Sequence, residues 1–279
     1  MTVGIIGGGF VGGALRCGFE NFCETRVYDI DSDLATHSLS EVIDGSEYIF
    51  ICVPTPMNTS DHGKADDRII LGVLDDITKI IPPDNTKIVI IKSSVPPGSM
   101  EKFSDLYPNL HLVFNPEFLT EKNARDDFIN ADRIVVGGDR QNTCKVAELY
   151  AKRFPNTPII ETDILTAQFI KYLANCFFAV KVSYMNEMYQ LAKKLGVDWE
   201  KALEGLATDK RVGQSHLSVP GPDGEFGFGG KCFPKDMNAL INVMKSLDIS
   251  PLVLEASWLK NLEVRKNKDW ESILGAISK

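Results

Sequence analysis

The sequence predicts an α/β protein. A doubly wound parallel sheet, residues 1–160, is followed by a mostly helical region, residues 161–279, which a long helix opens. Two observations predict this division. In the first part, short β-branched runs alternate with amphipathic stretches, as they do in parallel sheets with crossover helices. From about Thr162 onward, apolar residues recur at helical spacing, and Pro and Gly are absent over 163–195.

Several runs in the first part have strand character, because they are rich in β-branched residues and bounded by turn residues. They are TVGIIG, TRVYDI, YIFICV, KIVIIK, LHLVF and RIVVG. Helical patterns lie between several of them, for example at 9–20 and 68–80. In the second part, helical patterns cover 163–195, 198–206, 236–247 and 251–267. We expect the basic residues Lys260, Arg265, Lys266 and Lys268 to form a solvated helix face.

The composition argues against several classes of protein. The formal net charge of −8 disfavours nucleic acid as a partner, although a local cationic pocket could still hold an anionic small molecule. No apolar run approaches the roughly 18 residues of a membrane span, so no membrane association is expected. The six cysteines form no CxxC pair and have no histidines at zinc-ligand spacing. They predict reduced thiols, no bound metal and a cytoplasmic location.

Gly7, Gly9 and Gly12 form a GxGxxG pattern between the first strand and the first helix. In this position the pattern predicts a dinucleotide-binding turn of the Rossmann type, with a pyrophosphate at the helix N-terminus. Asp29 ends the next strand, where an acid suits a ribose 2′-hydroxyl and repels a 2′-phosphate, so NAD is favoured over NADP. The alternative is a glycine-rich turn that binds nothing.

Cys232 lies in the segment GFGGKCFPKD, after three glycines and between Lys231 and Lys235. Glycines allow close approach of a ligand to the backbone N–H groups, and neighbouring lysines favour a thiolate. The segment therefore predicts a cysteine that attacks a carbonyl carbon. The alternative is an incidental, packed cysteine.

Two further pairs of residues have the spacing of one helical turn. Lys171 and Asn175 share a face of the long helix, where a lysine in apolar surroundings can stabilise an oxyanion or move protons. Glu117 and Glu121 follow a strand in NPEFLTE, where a carboxylate can activate water. The alternatives are a lysine that extends from a packed helix to solvent and an acidic helix N-terminus.

Taken together, these segments resemble the nucleotide-sugar 6-dehydrogenases of the UDP-glucose/GDP-mannose dehydrogenase family. The resemblance covers almost the whole chain, and its most specific parts are NPEFL and GFGG-C-PKD. The matching stretches are GIIGGGFVG (4–12), VYDID (27–31), CVPTP (52–56), SSVPPGS (93–99), NPEFLTE (115–121), NADRIVVGG (130–138), KYLANCFFAVKVSYMNE (171–187), DKRVG (209–213) and GFGGKCFPKD (227–236).

The resemblance implies a four-electron oxidation of a sugar primary alcohol to a uronate, with UDP-glucose to UDP-glucuronate as the expected conversion and NAD as the oxidant. Cys232 would form a thiohemiacetal and then a thioester. Lys171 and Asn175 would stabilise the oxyanion. Asp236, with Lys171, would position or activate water, and Glu117 would be the base for thioester hydrolysis.

The resemblance also implies binding residues. Those expected to contact the cofactor are Gly7, Gly9, Phe10, Val11, Gly12, Asp29, Val53, Pro54, Thr55, Ser94 and Glu121. Ser94 stands where the family usually has threonine and is also an expected catalytic residue. Those expected to contact the substrate are Glu117, Phe118, Leu119, Lys171, Asn175, Arg211, Phe228, Gly229 and Gly230.

Members of the family usually continue for roughly another domain, so a short form without the C-terminal nucleotide-binding domain is expected. The resemblance further implies a homodimer through the long helix, in which Arg211 completes the neighbour's site. Two other functions remain open. One is a two-electron 3-hydroxyacid dehydrogenase of the 3-hydroxyisobutyrate or 6-phosphogluconate type, which needs no cysteine nucleophile. The other is a non-catalytic NAD-binding homologue.

Overall fold

A computed structural model describes residues 1–82, 84–120 and 122–278, and these residues form two units. The first unit comprises Met1–Thr55 and Asp66–Lys171. Its described residues contain a seven-stranded sheet in the order β2-β1-β3-β6-β7-β8-β9. The strands are β1 (Thr2–Ile6), β2 (Glu24–Tyr28), β3 (Tyr48–Ile51), β6 (Ile88–Ile91), β7 (His111–Phe114), β8 (Ile134–Gly137) and β9 (Ile159–Thr162).

Neighbouring strands of this sheet are parallel, apart from β7 and β8, which pair antiparallel at Phe114 and Gly137. The predicted α/β fold with a doubly wound sheet is therefore confirmed, and the antiparallel β7–β8 pair is the departure from the parallel sheet that was predicted. The six predicted runs all contain strands, whereas β9 was not predicted.

Two apolar clusters cover the two faces of the sheet. Ile49 and Ile51 of β3 belong to one cluster and Phe50 belongs to the other, because successive side chains of a strand point to opposite faces. Strand β6, with the sequence IVII, is buried at all four positions. Burial on both faces explains why these strands are continuous apolar runs.

Helices lie between the strands of the sheet, and two of them, α1 and α3, are those whose positions were predicted. Those of the first unit are α1 (Phe10–Phe19), α2 (Leu39–Gly45), α3 (Arg68–Ile80), α4 (Ser99–Leu106), α5 (Ala124–Ile129) and α6 (Arg140–Arg153). Helix α3 has the predicted bounds. Its apolar residues Ile70, Leu74 and Ile77 are buried and recur at helical spacing on one face.

The second unit comprises Pro56–Ala65 and Tyr172–Lys279. Helix α7 (Ile164–Leu195) begins in the first unit and continues into the second. The remaining helices are α8 (Trp199–Ala207), α9 (Phe233–Ser246) and α10 (Leu252–Val264), with short 3-10 turns at Thr59–Asp61 and Asp269–Glu271. In the described part of the chain, no helix combines the length and apolar character that crossing a membrane requires.

A small hairpin, β4 (Met57–Asn58) and β5 (Lys64–Ala65), belongs to the second unit although the surrounding sequence belongs to the first. Met57 donates its N–H to the Ala276 carbonyl oxygen and accepts the Ser278 N–H, and its side chain packs with Trp270. The predicted boundary between residues 160 and 161 therefore differs from the observed division. The first turns of α7 also pack with the first unit, because Ala167 is buried in its core.

Candidate functional site

The turn after β1 holds three glycines for different reasons. Gly7 has a φ of +97°, and a Cβ there would lie 2.7 Å from the Cys52 carbonyl oxygen. A Cβ on Gly12 would lie 1.8 Å from the Gly7 carbonyl oxygen, so this glycine lets α1 approach the turn. Gly9 has an ordinary φ of −67°, and a Cβ there would meet no described atom within 4 Å. Packing within the protein explains Gly7 and Gly12, whereas the space beside Gly9 is not filled by any described atom and is open to a ligand.

The space beside Gly9 lies at the N-terminus of α1, which begins with Phe10 and Val11. Backbone N–H groups at a helix N-terminus lack intrahelical partners and attract an anion. Asp29 follows β2, and its Oδ2 accepts the Gly8 N–H at 2.6 Å, so the carboxylate lies against the glycine turn. These residues fit a dinucleotide that carries its pyrophosphate over Gly9 and its ribose beside Asp29.

Gly9→Ala is expected to weaken NAD binding by at least about tenfold, or about 1.4 kcal/mol, without lowering the melting temperature. The added methyl group occupies the space proposed for the pyrophosphate but touches no described atom of the protein. Isothermal titration with NAD measures the affinity. Gly72→Ala is the matched control, because its methyl group also meets open space but lies in α3. Unchanged NAD affinity in Gly9→Ala would contradict the proposed position of the pyrophosphate.

Two hydroxyl groups tie together the loops that follow β3 and β6. Ser93 Oγ donates to the Val53 carbonyl oxygen at 2.7 Å, and Thr55 Oγ1 donates to the Ser94 carbonyl oxygen at 2.8 Å. Pro54, which lies between Val53 and Thr55 in the sequence, is exposed. Both loops leave the carboxyl edge of the sheet, where doubly wound sheets bind ligands. The predicted cofactor residues of these two loops therefore lie together in the first unit.

Lys171 and Glu117 are in direct contact within the first unit. Both side chains are buried, with 2% and 5% exposed, and Nζ lies 2.6 Å from Oε1. The same ammonium donates to the Glu117 carbonyl oxygen at 2.6 Å, and the Leu119 N–H donates to Glu117 Oε2 at 2.7 Å. Such additional hydrogen bonds are needed to offset the desolvation of a buried ion pair. The pair holds a positive charge and a carboxylate at fixed positions after β7.

Phe118, the predicted substrate residue next to this pair, has two cations over its ring. The guanidinium carbon of Arg133 lies 4.1 Å from its ring centroid, and Lys171 Nζ lies 5.6 Å from it. Cations over an aromatic face are attracted by the ring quadrupole, so these contacts fix the ring. Phe118 packs against the apolar cluster that contains Ile49, and Leu119 packs against the cluster on the other face of the sheet, which contains Phe50. The predicted cofactor residue Glu121 lies outside the described residues.

Lys92, which the sequence prediction missed, is buried at the end of β6. Its Nζ donates to Asn115 Oδ1 at 3.0 Å, and the Tyr150 hydroxyl donates to the same oxygen at 2.6 Å. Burial lowers the pKa of Lys92 to about 8, against the smaller opposing effects of Cys52 and Glu117. Burial likewise raises the pKa of Cys52 to about 12. The signal available in the sequence was Lys92 itself, a charged residue that directly follows the apolar strand residues of KIVIIK.

The lowered pKa of Lys92 predicts a pH dependence of stability. Between about pH 8 and 10.5 the unfolded chain binds a proton that the folded chain has released, so the free energy of unfolding should rise with pH. Compared with Lys92→Met, the wild type should gain about 2 kcal/mol between pH 7 and 9.5, as measured by urea unfolding. Lys102→Met, which removes an exposed lysine, should keep the wild-type gain. Parallel pH profiles for wild type and Lys92→Met would exclude this effect.

In the second unit, Cys232 is the residue immediately before α9. The predicted start of this helix at residue 236 was wrong by three residues, because Pro234 fits the first helical turn, where a missing N–H costs no hydrogen bond. The thiol is half-buried. It lies at the positive end of a helix of 14 residues, which favours the thiolate.

Asp236, one turn further along α9, is fully buried and bound on both sides. Its Oδ2 accepts a hydrogen bond from Asn175 Nδ2 at 2.6 Å, and its Oδ1 accepts one from Lys235 Nζ at 2.5 Å. Lys235, which the sequence prediction assigned to the thiol of Cys232, therefore neutralises this carboxylate instead. The Asn175 amide nitrogen carries a second hydrogen, which remains able to bind a substrate oxygen.

The backbone N–H groups of the glycine loop before Cys232 were predicted to hold a substrate, but three of them donate to side chains of the second unit. The pairs are Gly227 to Asn186 at 3.0 Å, Phe228 to Asn261 at 2.7 Å and Gly230 to Asp269 at 3.1 Å. A Cβ on Gly229 would lie 2.3 Å from Arg265 Nη2. These glycines are therefore required by packing, and a contact of Phe228, Gly229 and Gly230 with substrate stays a prediction.

Arg265 was expected on a solvated helix face, and that prediction was wrong. Its side chain is 2% exposed and follows the end of α10, where its guanidinium binds Asp223 at 2.8 Å and Asp269 at 3.1 Å. Asp223 lies in the glycine-rich loop before α9, and Asp269 begins the short 3-10 turn after α10. Arg265 therefore links the glycine loop to the segment after α10. Because it stands among other basic residues in the sequence, its local pattern did not indicate this role.

Arg211, the predicted substrate residue after α8, has a side chain that is 90% exposed and paired with Asp209. Its loop is anchored by Lys181, whose Nζ donates to the carbonyl oxygens of Val212 and Gly213 at 3.1 and 3.0 Å. The anchored loop presents the guanidinium of Arg211 to solvent. Among the described residues, no group of three or more histidine, cysteine, aspartate or glutamate side chains could hold a metal ion.

Sequence models of one protein family match both units of the chain. The UDP-glucose/GDP-mannose dehydrogenase family, NAD binding domain, matches residues 33–154. The UDP-glucose/GDP-mannose dehydrogenase family, central domain, matches residues 165–262. Together the two matches span more than half of the chain.

Individual proteins show the same similarity. The UDP-glucose 6-dehydrogenase of Rickettsia bellii is 35% identical over 245 residues, which are 86% of this chain and 53% of that protein. The chain thus spans about half the length of the curated relatives it matches. A solved UDP-glucose dehydrogenase from the archaeon Pyrobaculum islandicum has a TM-score of 0.81 at 26% identity, covering 94% of this chain and 68% of that one. A 3-hydroxyisobutyrate dehydrogenase of Mycobacterium tuberculosis, at 17% identity, TM-score 0.73 and coverages of 92% and 90%, shares the fold.

Proposed function

Because this chain belongs to the UDP-glucose/GDP-mannose dehydrogenase family, we propose that it oxidises the primary alcohol of a nucleotide sugar to a carboxylate with two molecules of NAD. UDP-glucose is the proposed substrate, because the similar proteins from Rickettsia bellii and Pyrobaculum islandicum are UDP-glucose dehydrogenases. The observation that carries the proposal is the arrangement at the start of α9. There Cys232 lies at the positive end of the helix, and a buried Asp236 is bound by Asn175 one turn later.

NAD would act in this scheme as the hydride acceptor, and each of two NAD molecules would take one hydride from the C6 carbon of the sugar. Gly9, the N-terminus of α1 and Asp29 would hold its pyrophosphate and ribose, as argued above. The residues after β3 and β6, including Ser94, would border the nicotinamide half. This family's NAD-binding domain is present in the first unit.

In the first oxidation, the alcohol loses a proton from oxygen to water and a hydride from carbon to the first NAD, which leaves an aldehyde. We assign to Lys171 the stabilisation of the negative charge that develops on the substrate oxygen, because its ammonium is buried and held in one position by Glu117. Asn175 would donate its second amide hydrogen to the same oxygen. Phe118, beside the ammonium, would form an apolar wall for the sugar.

In the next step, the thiolate of Cys232 attacks the aldehyde carbon, and the oxygen takes up a proton from water to give a thiohemiacetal. Loss of that proton to water and of a hydride from the same carbon to the second NAD leaves a thioester. Water then adds to the thioester carbonyl, the C–S bond breaks with its electron pair on sulfur, and the uronate leaves. We assign the removal of the water proton to Glu117, and the alignment of water to Asp236. The sequence of steps removes four electrons and regenerates the cysteine.

The proposal includes a homodimer in the cytoplasm. On α7, apolar side chains at intervals of four residues are half or more exposed, namely Phe169, Leu173 and Phe177. An exposed apolar stripe of this kind is typical of an interaction surface, and Arg211 would then reach the substrate of the neighbouring chain. A sedimentation mass of one chain at micromolar concentration would contradict the dimer.

The test is the amount of NADH formed, followed at 340 nm, per mole of limiting UDP-glucose with excess NAD. A ratio of two is expected from the four electrons removed. A ratio of one would indicate a simple two-electron alcohol oxidation or a stalled intermediate, and would contradict the proposed four-electron reaction. NAD binding without NADH formation on a panel of nucleotide sugars would favour a non-catalytic homologue.

A further inference from the structure

Tyr172 is a fully buried residue of α7 in the second unit whose hydroxyl has no hydrogen-bond partner in the part of the chain that the structure describes. Buried hydroxyl groups almost always have a partner, since an unpaired one loses its hydration without compensation. Tyr150, which is equally buried, follows this rule and donates to Asn115. The unpaired hydroxyl of Tyr172 therefore needs a specific explanation.

The residues that follow Tyr172 by one helical turn on α7 contact the first turn of α9. Asn175, three residues after Tyr172 on α7, donates to Asp236, and the Cys176 thiol lies 3.7 Å from the Asp236 carbonyl oxygen. Burial raises the pKa of Tyr172 well above its usual value, and the neighbouring charges of Asp236, Cys176 and Cys232 raise it further. Tyr172 thus stays a neutral donor at any pH at which a thiol ionises. It shares a face of α7 with Asn175 and Cys176, which contact the first turn of α9 directly after Cys232.

Asp236, Cys176 and Cys232 are the groups near Tyr172 that we consider as hydrogen-bond acceptors, and they differ in charge and in existing hydrogen bonds. Each carboxylate oxygen of Asp236 accepts a hydrogen bond, one from Asn175 and one from Lys235. Burial raises the pKa of the Cys176 thiol, so that sulfur stays neutral. A neutral thiol is a weak acceptor, whereas a thiolate is a strong one. Cys232, at the helix N-terminus, is the sulfur here whose ionisation is favoured.

We propose that the Tyr172 hydroxyl donates a hydrogen bond to the Cys232 sulfur whenever that sulfur carries negative charge. In the resting thiol the donor has no adequate acceptor, which accounts for its unpaired state. When the thiol loses its proton to solvent, the bond forms and stabilises the thiolate. When a thioester is hydrolysed, the sulfur receives the electron pair of the breaking C–S bond, and the same donor stabilises the leaving thiolate. The inference rests on the proposed function only in taking Cys232 as the nucleophile.

The test is the pH profile of Cys232 alkylation by iodoacetamide in the intact protein, with the modified peptide quantified by mass spectrometry. For Tyr172→Phe we expect the midpoint of the profile to rise by about one pH unit, so that alkylation at pH 7 slows by up to tenfold. Tyr184→Phe, an exposed tyrosine on the same helix, should keep the wild-type midpoint. The melting temperature of Tyr172→Phe should not fall, because the lost hydroxyl has no partner to leave behind.

A second variant changes the midpoint in the opposite direction. Incorporation of 3-fluorotyrosine at position 172 makes the hydroxyl a stronger donor and should lower the midpoint. Superimposable profiles for Tyr172→Phe and wild type would overturn the proposal. Because alkylation needs neither NAD nor sugar, a wild type that forms no NADH but shows the expected midpoints would refute the proposed function alone. A ratio of two NADH with unchanged midpoints would refute this inference alone.

Discussion

Replacing Cys232 by serine is expected to lower the rate of NADH formation from UDP-glucose by about 10³-fold or more, the scale of loss typical when a covalent nucleophile is removed. Serine occupies nearly the same space before α9, but its hydroxyl does not ionise near neutral pH and would not form the thioester. The first hydride transfer does not require sulfur. A transient of at most one NADH per active site, without continued turnover, is therefore expected in stopped-flow measurements at 340 nm.

Cys144→Ser is the matched control for this experiment. Cys144 lies on α6 of the first unit and is half-buried like Cys232. We expect its NADH formation to remain within about twofold of wild type, because Cys144 has no role in the proposed reaction. Steady turnover by Cys232→Ser at a wild-type rate would refute the cysteine mechanism and leave the two-electron dehydrogenase as the better hypothesis.

Replacing Lys171 by methionine is expected to lower the free energy of unfolding by about 3–5 kcal/mol, because it leaves the buried Glu117 carboxylate without its cation. The double variant Lys171→Met, Glu117→Gln removes both charges and should recover most of this loss. Both variants should lack NADH formation, since neither retains the ammonium. Urea unfolding measures the stability, and the four proteins of the cycle yield the coupling between the two side chains.

The exposed pair Lys201 and Glu204 serves as a control for the effect of burial. Its Nζ–Oε2 distance of 2.7 Å nearly equals that of the buried pair, but both side chains are more than two-thirds exposed. We expect Lys201→Met to change stability by less than about 1 kcal/mol. If the losses of Lys171→Met and Glu117→Gln simply added in the double variant, the two side chains would not be coupled as described.

Much of the fold could be predicted from local sequence patterns. The strand runs are recognisable because parallel strands buried on both faces need continuous β-branched residues, as in IVII of β6. The bounds of α3 follow from one apolar face. The start of α9 was missed because Pro234 resembles a loop residue unless it is placed in the first helical turn.

Contacts between distant residues could not be predicted in the same way. Lys171 and Glu117 were each singled out, but the sequence does not show that residues 54 positions apart form one ion pair. Arg265 looks like its exposed basic neighbours until its contacts with Asp223 and Asp269 are known. Whether the Tyr172 hydroxyl has a hydrogen-bond partner depends on residues that are distant in the sequence. The sequence around a helical tyrosine therefore does not indicate it.

The hairpin at 57–65 has a consequence for the order in which the chain folds during synthesis. Met57 emerges from a ribosome more than 200 residues before its backbone partners Ala276 and Ser278. The sheet of the first unit can assemble early from its neighbouring strands, because its helices and strands follow one another closely. The hairpin can dock only after its C-terminal partners have been synthesised. Loop closure over this distance makes its docking a late step. A nascent chain halted at residue 200 should therefore resist proteolysis in its sheet and be cleaved within 56–65.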